Sequence, residues 1–337
     1  MRNFLFAVVF LLGGVFVFIR FAEVQQIAVT LKGGDWRFIG IAFFFEGLWL
    51  LCIAASYKVI YHAMGLYEKY ERLILISSAT NFVNVVAPSA GMGGMAVLIS
   101  ESKRTGNSSG RATAAGVLFV LFDYFGFLFL LTAGLFVLYQ RNNLSPVEIT
   151  ASVILFTVAA FLAYLVVIGL RSGEVLGKVL VSLARKVNRF LGYFTQRQYL
   201  SEQRAHNFAL EASSALMEIK KKPIYLSLAI ILGLTSKFIL LFILLLVFLA
   251  FGVPYSPGTI IAGFSIGYLF FIVSPTPAGI GFVEGGLTLA LTTLGVPIGA
   301  AAVITLAYRG ITFWMPLIFG MIAFRLLPHT GGVHTAA

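Results

Sequence analysis

Residues 274–294 read SPTPAGIGFVEGGLTLALTTL, and their reading decides the fold. The stretch lies within a long apolar region, yet it holds two prolines, four glycines and a glutamate. Inside hydrocarbon every backbone N–H and C=O needs a partner, so irregular backbone survives there only where protein or a wet cavity surrounds it. A carboxylate at that depth is costly, which makes Glu284 a functional candidate by default. The reading that satisfies both constraints is a broken, re-entrant element lining a polar cavity in an integral membrane protein.

Composition supports that class. The 337 residues are 59% hydrophobic and 11% charged, and mean hydropathy is +0.96. An ordinary soluble domain carries about 25% charged residues. Several apolar runs exceed the roughly 18 residues that mark a spanning helix. The expected fold is an all-α integral membrane protein, a polytopic helical bundle, and a large soluble core is excluded. The net charge of +11 invites a nucleic-acid reading, but its location argues for no nucleic-acid partner. Residues 171–222 hold ten Lys/Arg against four Glu, leaving +6 in one loop. Clustered basic charge between spans is the positive-inside signature. Cys52 is the single cysteine, so no disulfide framework or cysteine metal site is expected.

The chain divides into spans at about 4–22, 37–57, 112–139, 148–170, 223–251 and 298–326. The first is read as an uncleaved span and not a signal peptide, because no convincing small-residue cleavage site follows it. The stretch after it, with Glu23, Lys32, Asp35 and Arg37, reads as a loop. Between the spans lies a second broken segment, 73–100, LILISSATNFVNVVAPSAGMGGMAVLIS. Basic residues on both sides suggest a hairpin that enters and leaves from the cytoplasm. Each of two parts thus runs span, Pro/Gly-broken hairpin (73–100, then 259–294), long span. Counting crossings gives the two parts opposite orientation, an inverted repeat. Paired broken segments of this kind are the best sequence pointer to a transporter's binding site. The alternatives are full pairs of spans, or one hairpin that crosses only once. The chain is therefore expected to be one membrane domain over 1–337. Its first half is 1–170, a basic cytoplasmic amphipathic linker is 171–222, and the second half is 223–337, with both termini cytoplasmic. The linker carries two apolar stripes at helical spacing. They fit either a helix on the membrane surface or two connecting helices packed on each other.

The embedded ionisable residues are Glu46, Asp123, Lys237, Glu284 and Arg309. Opposite charges pair inside a bundle, and a mobile pair relays protons or holds a charged headgroup. The entries AGIGFVEGG and PSAGMGG present helix N-termini to an anion such as phosphate, and Arg309 can clamp the same group. The bland counterparts are a cap made by Glu284 on its own half-helix and a structural Glu284–Arg309 salt bridge. Function is preferred for Glu284 and Arg309, and structure for Glu46 and Lys237, the latter by snorkelling. Asp123 is open between the two. Gly263/Gly267 and Gly281/Gly285 fit small-residue helix packing. GIGFVEGG is not a dinucleotide loop, lacking a preceding strand. His62, His206, His329 and His334 have no metal-ligand spacing, no nucleophile–base motif is visible, and no cofactor is expected.

Three motifs in order, NFVNVVAPSAGMGG (81–94), PTPAGIGFVEGG (275–286) and YRGITFWMPLIFG (308–320), resemble the lysylphosphatidylglycerol synthase transmembrane-region family, also called flippase-like domain proteins. Its best-understood members join a membrane flippase domain to a soluble aminoacyltransferase domain, which these 337 residues do not contain. The resemblance therefore implies lipid translocation and not the synthase activity. It places Asn81, Asn84, Pro88, Gly91, Gly93, Gly94, Pro275, Pro277, Gly279, Gly281, Glu284 and Arg309 on motif positions. The expected function is a flippase for an anionic or lipid-linked headgroup in an inner membrane: an aminoacylated phospholipid, a polyprenyl-phosphate or a glycolipid. Membrane lipids would be its partners, with a lipid-synthesis enzyme and a second copy of the chain as further candidates. The rivals are a membrane-embedded enzyme using Asp123 or Glu284 on a lipid phosphate, and a scaffold docking a lipid-synthesis complex through 171–222.

Overall fold

The computed structural model describes residues 21–86, 92–192, 201–274, 276 and 279–327, and among them it contains helices and connecting turns but no strand. In order these are α1 (Phe21–Lys32), α2 (Trp36–Ala63), α3 (Tyr70–Val86), α4 (Met92–Arg104), α5 (Ser109–Gln140), α6 (Pro146–Arg171), α7 (Gly173–Gly192), α8 (Glu202–Lys220), α9 (Pro223–Ala250), α10 (Pro257–Val273), α11 (Phe282–Thr293), α12 (Ile298–Arg309), a π turn (Gly310–Trp314) and α13 (Met315–Leu326). Five stretches are long and apolar enough to cross a bilayer: α2, α5, α6, α9 and the run from α12 through α13. Most of the expected first span, 4–22, lies outside the described residues. The stretch expected to be a loop after it is instead the helix α1. Its Ile27 is buried and fills the space over Gly310, so tertiary packing overrode the polar composition of Glu23, Gln25, Gln26 and Lys32.

Local chemistry sets the ends of the long helices. Asp35 caps α2 by accepting from the Arg37 N–H at 2.9 Å. Ser145 and Glu148 form a reciprocal capping box on α6, with Pro146 at its first position, where a missing N–H costs nothing. Ser256 opens α10 by accepting the Thr259 N–H at 3.1 Å, with Pro257 at the first position.

Contacts sort the loops into two ends. At one end Arg72 meets Glu101 at 2.9 Å, Arg111 meets Glu218 at 3.0 Å, and Lys222 donates to the His62 carbonyl at 3.4 Å. At the other, the Asp35 N–H donates to the Ala250 carbonyl at 2.8 Å, Arg141 to Thr259 at 3.3 Å, and Asn143 to the Thr293 carbonyl at 2.8 Å. The α3–α4 pair thus starts and finishes at the first end, and the α10–α11 pair at the second. Helices of 12 to 17 residues reach about 18–26 Å, short of the roughly 30 Å hydrocarbon core. Buried apolar side chains form two clusters, one toward each end.

The linker helices α7 and α8 pack on each other and on α5 and α6. Leu176 and Ala184 of α7 and Ala209, Ala212, Leu216 and Ile219 of α8 are buried. These two helices pack on each other, as one of the two expectations for this segment has it.

Small residues set the helix crossings. A Cβ on Gly126 would lie 2.5 Å from the Gly233 carbonyl oxygen, and one on Gly233 would lie 2.6 Å from that of Phe122, so α5 and α9 touch backbone to backbone. Ser265 of α10 donates to the Leu130 carbonyl at 2.9 Å, beside Gly134. Gly263 and Gly267 receive Leu291 and Leu287 of α11, as their spacing suggests. Gly281 and Gly285 do not: nothing stands within 4 Å of a Cβ at either, and Gly286 is the residue packed tightly, against Phe270.

Candidate functional site

The centre of the bundle holds a cavity of about 240 Å³. Its charged lining is Asp123, Lys237 and Arg309. Its uncharged polar lining comes largely from one face of α3, at Ser77, Thr80, Asn81 and Asn84, spaced to stack along a single helix side. Trp49, Tyr57, Tyr268 and Tyr308 supply aromatic surface.

Each charged group is placed by an interruption or a close crossing. Glu284 is the third residue of α11, whose start at Gly281 has φ of +81°, a left-handed conformation that a side chain tolerates poorly. The helix has no capping side chain at Gly281 itself. Glu284 reaches back instead, accepting the Gly281 N–H on Oε2 at 2.6 Å. Its Oε1 accepts from Arg309 Nε at 2.8 Å. Arg309 ends α12, is 5% exposed, and lies with its guanidinium carbon 4.5 Å from the centre of the Phe313 ring. The π turn follows at once. Pro316 has no N–H to return to the carbonyl of Thr312 and its ring crowds that carbonyl, so the helix widens there and puts Thr312 and Phe313 on the cavity wall. Both bland readings of Glu284, a cap and a salt bridge, are therefore realised together, on the edge of the cavity.

Asp123 and Lys237 form the second pair. The backbone crossing at Gly126 and Gly233 brings α5 and α9 close enough for Lys237 Nζ to meet Asp123 Oδ1 at 2.5 Å. The ammonium also donates to the Tyr268 hydroxyl at 2.6 Å and sits 4.4 Å from that ring's centre. Lys237 is fully buried, so it does not snorkel. The sequence reading placed it with the structural residues, and the cavity includes it; glycines one turn away on both helices were the available signal.

Of the remaining expected site residues, Asn81 and Asn84 line the cavity. Asn84 Oδ1 accepts the Gly94 N–H at 2.7 Å, satisfying one of the orphan donors in the first turn of α4. A Cβ on Gly94 would lie 2.6 Å from both Asn84 and Thr80, so only glycine admits this contact. Gly93 lies in α4. Gly279, with φ of +73°, turns the chain into α11. Pro88, Gly91, Pro275 and Pro277 lie outside the described residues. Glu46, read as structural, is fully buried with neither carboxyl oxygen hydrogen-bonded. No cluster of His, Cys, Asp or Glu suited to a metal occurs among the described residues.

Comparison with known proteins agrees with this architecture. The chain is 24% identical over 306 residues to a UPF0104 membrane protein of Methanocaldococcus jannaschii, covering 90% of this chain and 88% of that one. It is 23% identical over 317 residues to a UPF0104 membrane protein of Methanothermobacter thermautotrophicus, covering 91% and 89%. A family model described as the lysylphosphatidylglycerol synthase TM region matches residues 4–320. With the motif-bearing segments at its centre and nearly its whole length matched, this multi-pass membrane chain belongs to the lysylphosphatidylglycerol synthase TM region family.

Proposed function

We propose that the protein is a lipid translocase that passes an anionic or lipid-linked headgroup through the bundle centre while the acyl chains stay in the bilayer. In this reading α3–α4 and α10–α11 are re-entrant hairpins of an inverted repeat, dipping in from opposite faces. The basic end, with 171–222 and both termini, is cytoplasmic, and the membrane is the inner membrane. The chain is a carrier and not an enzyme: 1–170 and 223–337 are the two halves of one membrane domain, and the linker joins them.

One observation carries the proposal. A cavity of about 240 Å³ sits inside the apolar bundle, its mostly apolar wall interrupted by Asp123, Lys237 and Arg309, the last paired with Glu284. Charge buried in lipid is expensive, and it marks substrate paths. Arg309 is the anion-binding group, since a phosphate offers the guanidinium the same oxygen geometry that Glu284 offers it. The headgroup thereby exchanges with the Glu284 carboxylate. Asn81 and Asn84 supply hydrogen bonds from the facing helix.

The test is reconstitution into liposomes with a panel of fluorescent lipids: phosphatidylglycerol, its aminoacylated form, a polyprenyl phosphate and a glycolipid. The expected outcome is protein-dependent movement of at least one unmodified lipid between leaflets, reduced at least tenfold by Arg309→Ala. Unchanged movement by a folded Arg309→Ala protein counts against the site. Conversion of a lipid to a new product counts against carriage.

A further inference from the structure

Glu46 is the most anomalous side chain in the molecule. It lies about three turns into α2, fully buried, and among the described residues neither carboxyl oxygen has a hydrogen-bond partner. Trp49, one turn further along the same face, has a buried indole N–H that is also without a hydrogen-bond partner. Trp49 lines the cavity, and so does Tyr308, which lies near enough to feel the charge of Glu46. Such surroundings admit a carboxylic acid and exclude an isolated carboxylate.

The charged groups on every described element packed against α2 are committed elsewhere or distant. Lys237 of α9 and Asp123 of α5 hold each other, Arg309 at the end of α12 holds Glu284, and Arg72 of α3 holds Glu101. Arg111 of α5 pairs with Glu218 at the basic end. Lys32 of α1 and Arg325 of α13 sit in the last turns of their helices. The carboxyl is therefore not half of a structural salt bridge, and it does not cap a helix.

We propose that Glu46 is the proton-carrying site of the translocation cycle. It takes a proton from water on one side of the membrane, holds it while the carboxyl is buried as seen here, and releases it to water on the other side when the bundle exposes it there. One proton crosses per cycle, no covalent bond of the lipid changes, and the proton gradient supplies the drive. This rests on the translocase reading above, and the experiment separates the two.

Full-length protein is reconstituted into vesicles of phosphatidylglycerol and phosphatidylethanolamine, with fluorescent phosphatidylglycerol as the probe. With one proton per lipid, a gradient of one pH unit shifts the steady-state distribution between leaflets by about tenfold. The shift disappears in Glu46→Gln and in Glu46→Leu, the second variant guarding against a folding defect peculiar to a buried amide. A wild type that moves the probe but ignores the gradient overturns the proposal, as does a wild-type response in either variant. In parallel, infrared spectra of the same vesicles at neutral pH should show the C=O stretch of a buried protonated carboxyl in wild type and not in Glu46→Gln. Coincident spectra overturn the proton site whatever the lipid does, whereas a wild type that moves none of the four lipids of the panel counts against the translocase reading alone.

Discussion

Asp123–Lys237 joins two continuous helices, whereas Glu284–Arg309 joins two interrupted ones. The first pair is set by a backbone crossing of α5 and α9 that leaves no room for adjustment, and its ammonium is fully buried. The second is set by a left-handed glycine at the start of α11 and a π turn after α12, and its carboxylate side chain is 21% exposed. Glu284 also keeps a backbone N–H as an alternative partner, from Gly281. The difference teaches that similar charge chemistry serves two ends within one cavity. A pair held between rigid rods is a clamp, and a pair held between helix ends is available for exchange.

Removing the cation from each pair is the sharpest way to break this comparison. Lys237→Met removes a fully buried ammonium from between Asp123 and Tyr268 and leaves the partly exposed Asp123 carboxylate without its ion pair, and breaking a buried pair costs up to about 3–5 kcal/mol. Thermal unfolding in detergent should show a large drop, recovered for the most part by adding Asp123→Leu. Arg309→Met leaves Glu284 with its Gly281 N–H and partial exposure, so the expected cost is nearer 1–2 kcal/mol, although lipid movement is lost. Equal destabilisation by the two substitutions would end the distinction between clamp and exchangeable pair.

The smallest effect belongs to a pair outside the cavity. Arg185 of α7 and Glu202 of α8 meet at 2.7 Å on the exposed linker. The hydrogen bond from Arg185 holds the Glu202 carboxyl below its ordinary value, and the same bond raises Arg185. A depressed carboxyl stabilises the fold above its unfolded value and loses that contribution as pH falls through the folded one. Glu202→Gln should therefore remove a slight stabilisation at neutral pH, flatten the acid-side decline in the melting profile of the linker, and leave lipid movement as it was. An effect on lipid movement would tie the linker to the site.

Much of this was legible in the sequence, for reasons that differ by residue. Long apolar runs announce helices because lipid allows little else, so α2, α5, α6 and α9 fall close to their expected bounds. Glu284 and Arg309 were visible because each is a charge where charge is expensive. Their partnership was visible because both sit in broken, glycine-bearing motifs. The Asp123–Lys237 bond was not visible: the partners are far apart in the chain, and their meeting depends on the crossing at Gly126 and Gly233, whose role shows only when both helices are placed. Gly281 was misread as a packing glycine because spacing cannot tell a residue needed for its φ from one needed for its size. Glu46 was assigned to structure because a sequence cannot show that a buried acid lacks a partner.

The contact of α5 with α9 has a mechanical consequence. At Gly126 and Gly233 backbone meets backbone, so the separation of the two helices there is fixed by atoms that cannot rotate away. The crossing is placed one turn from a charge pair, near the middle of two long rods. A methyl group added at either glycine would act as a wedge against the facing backbone, prying the rods apart and pulling Lys237 away from Asp123.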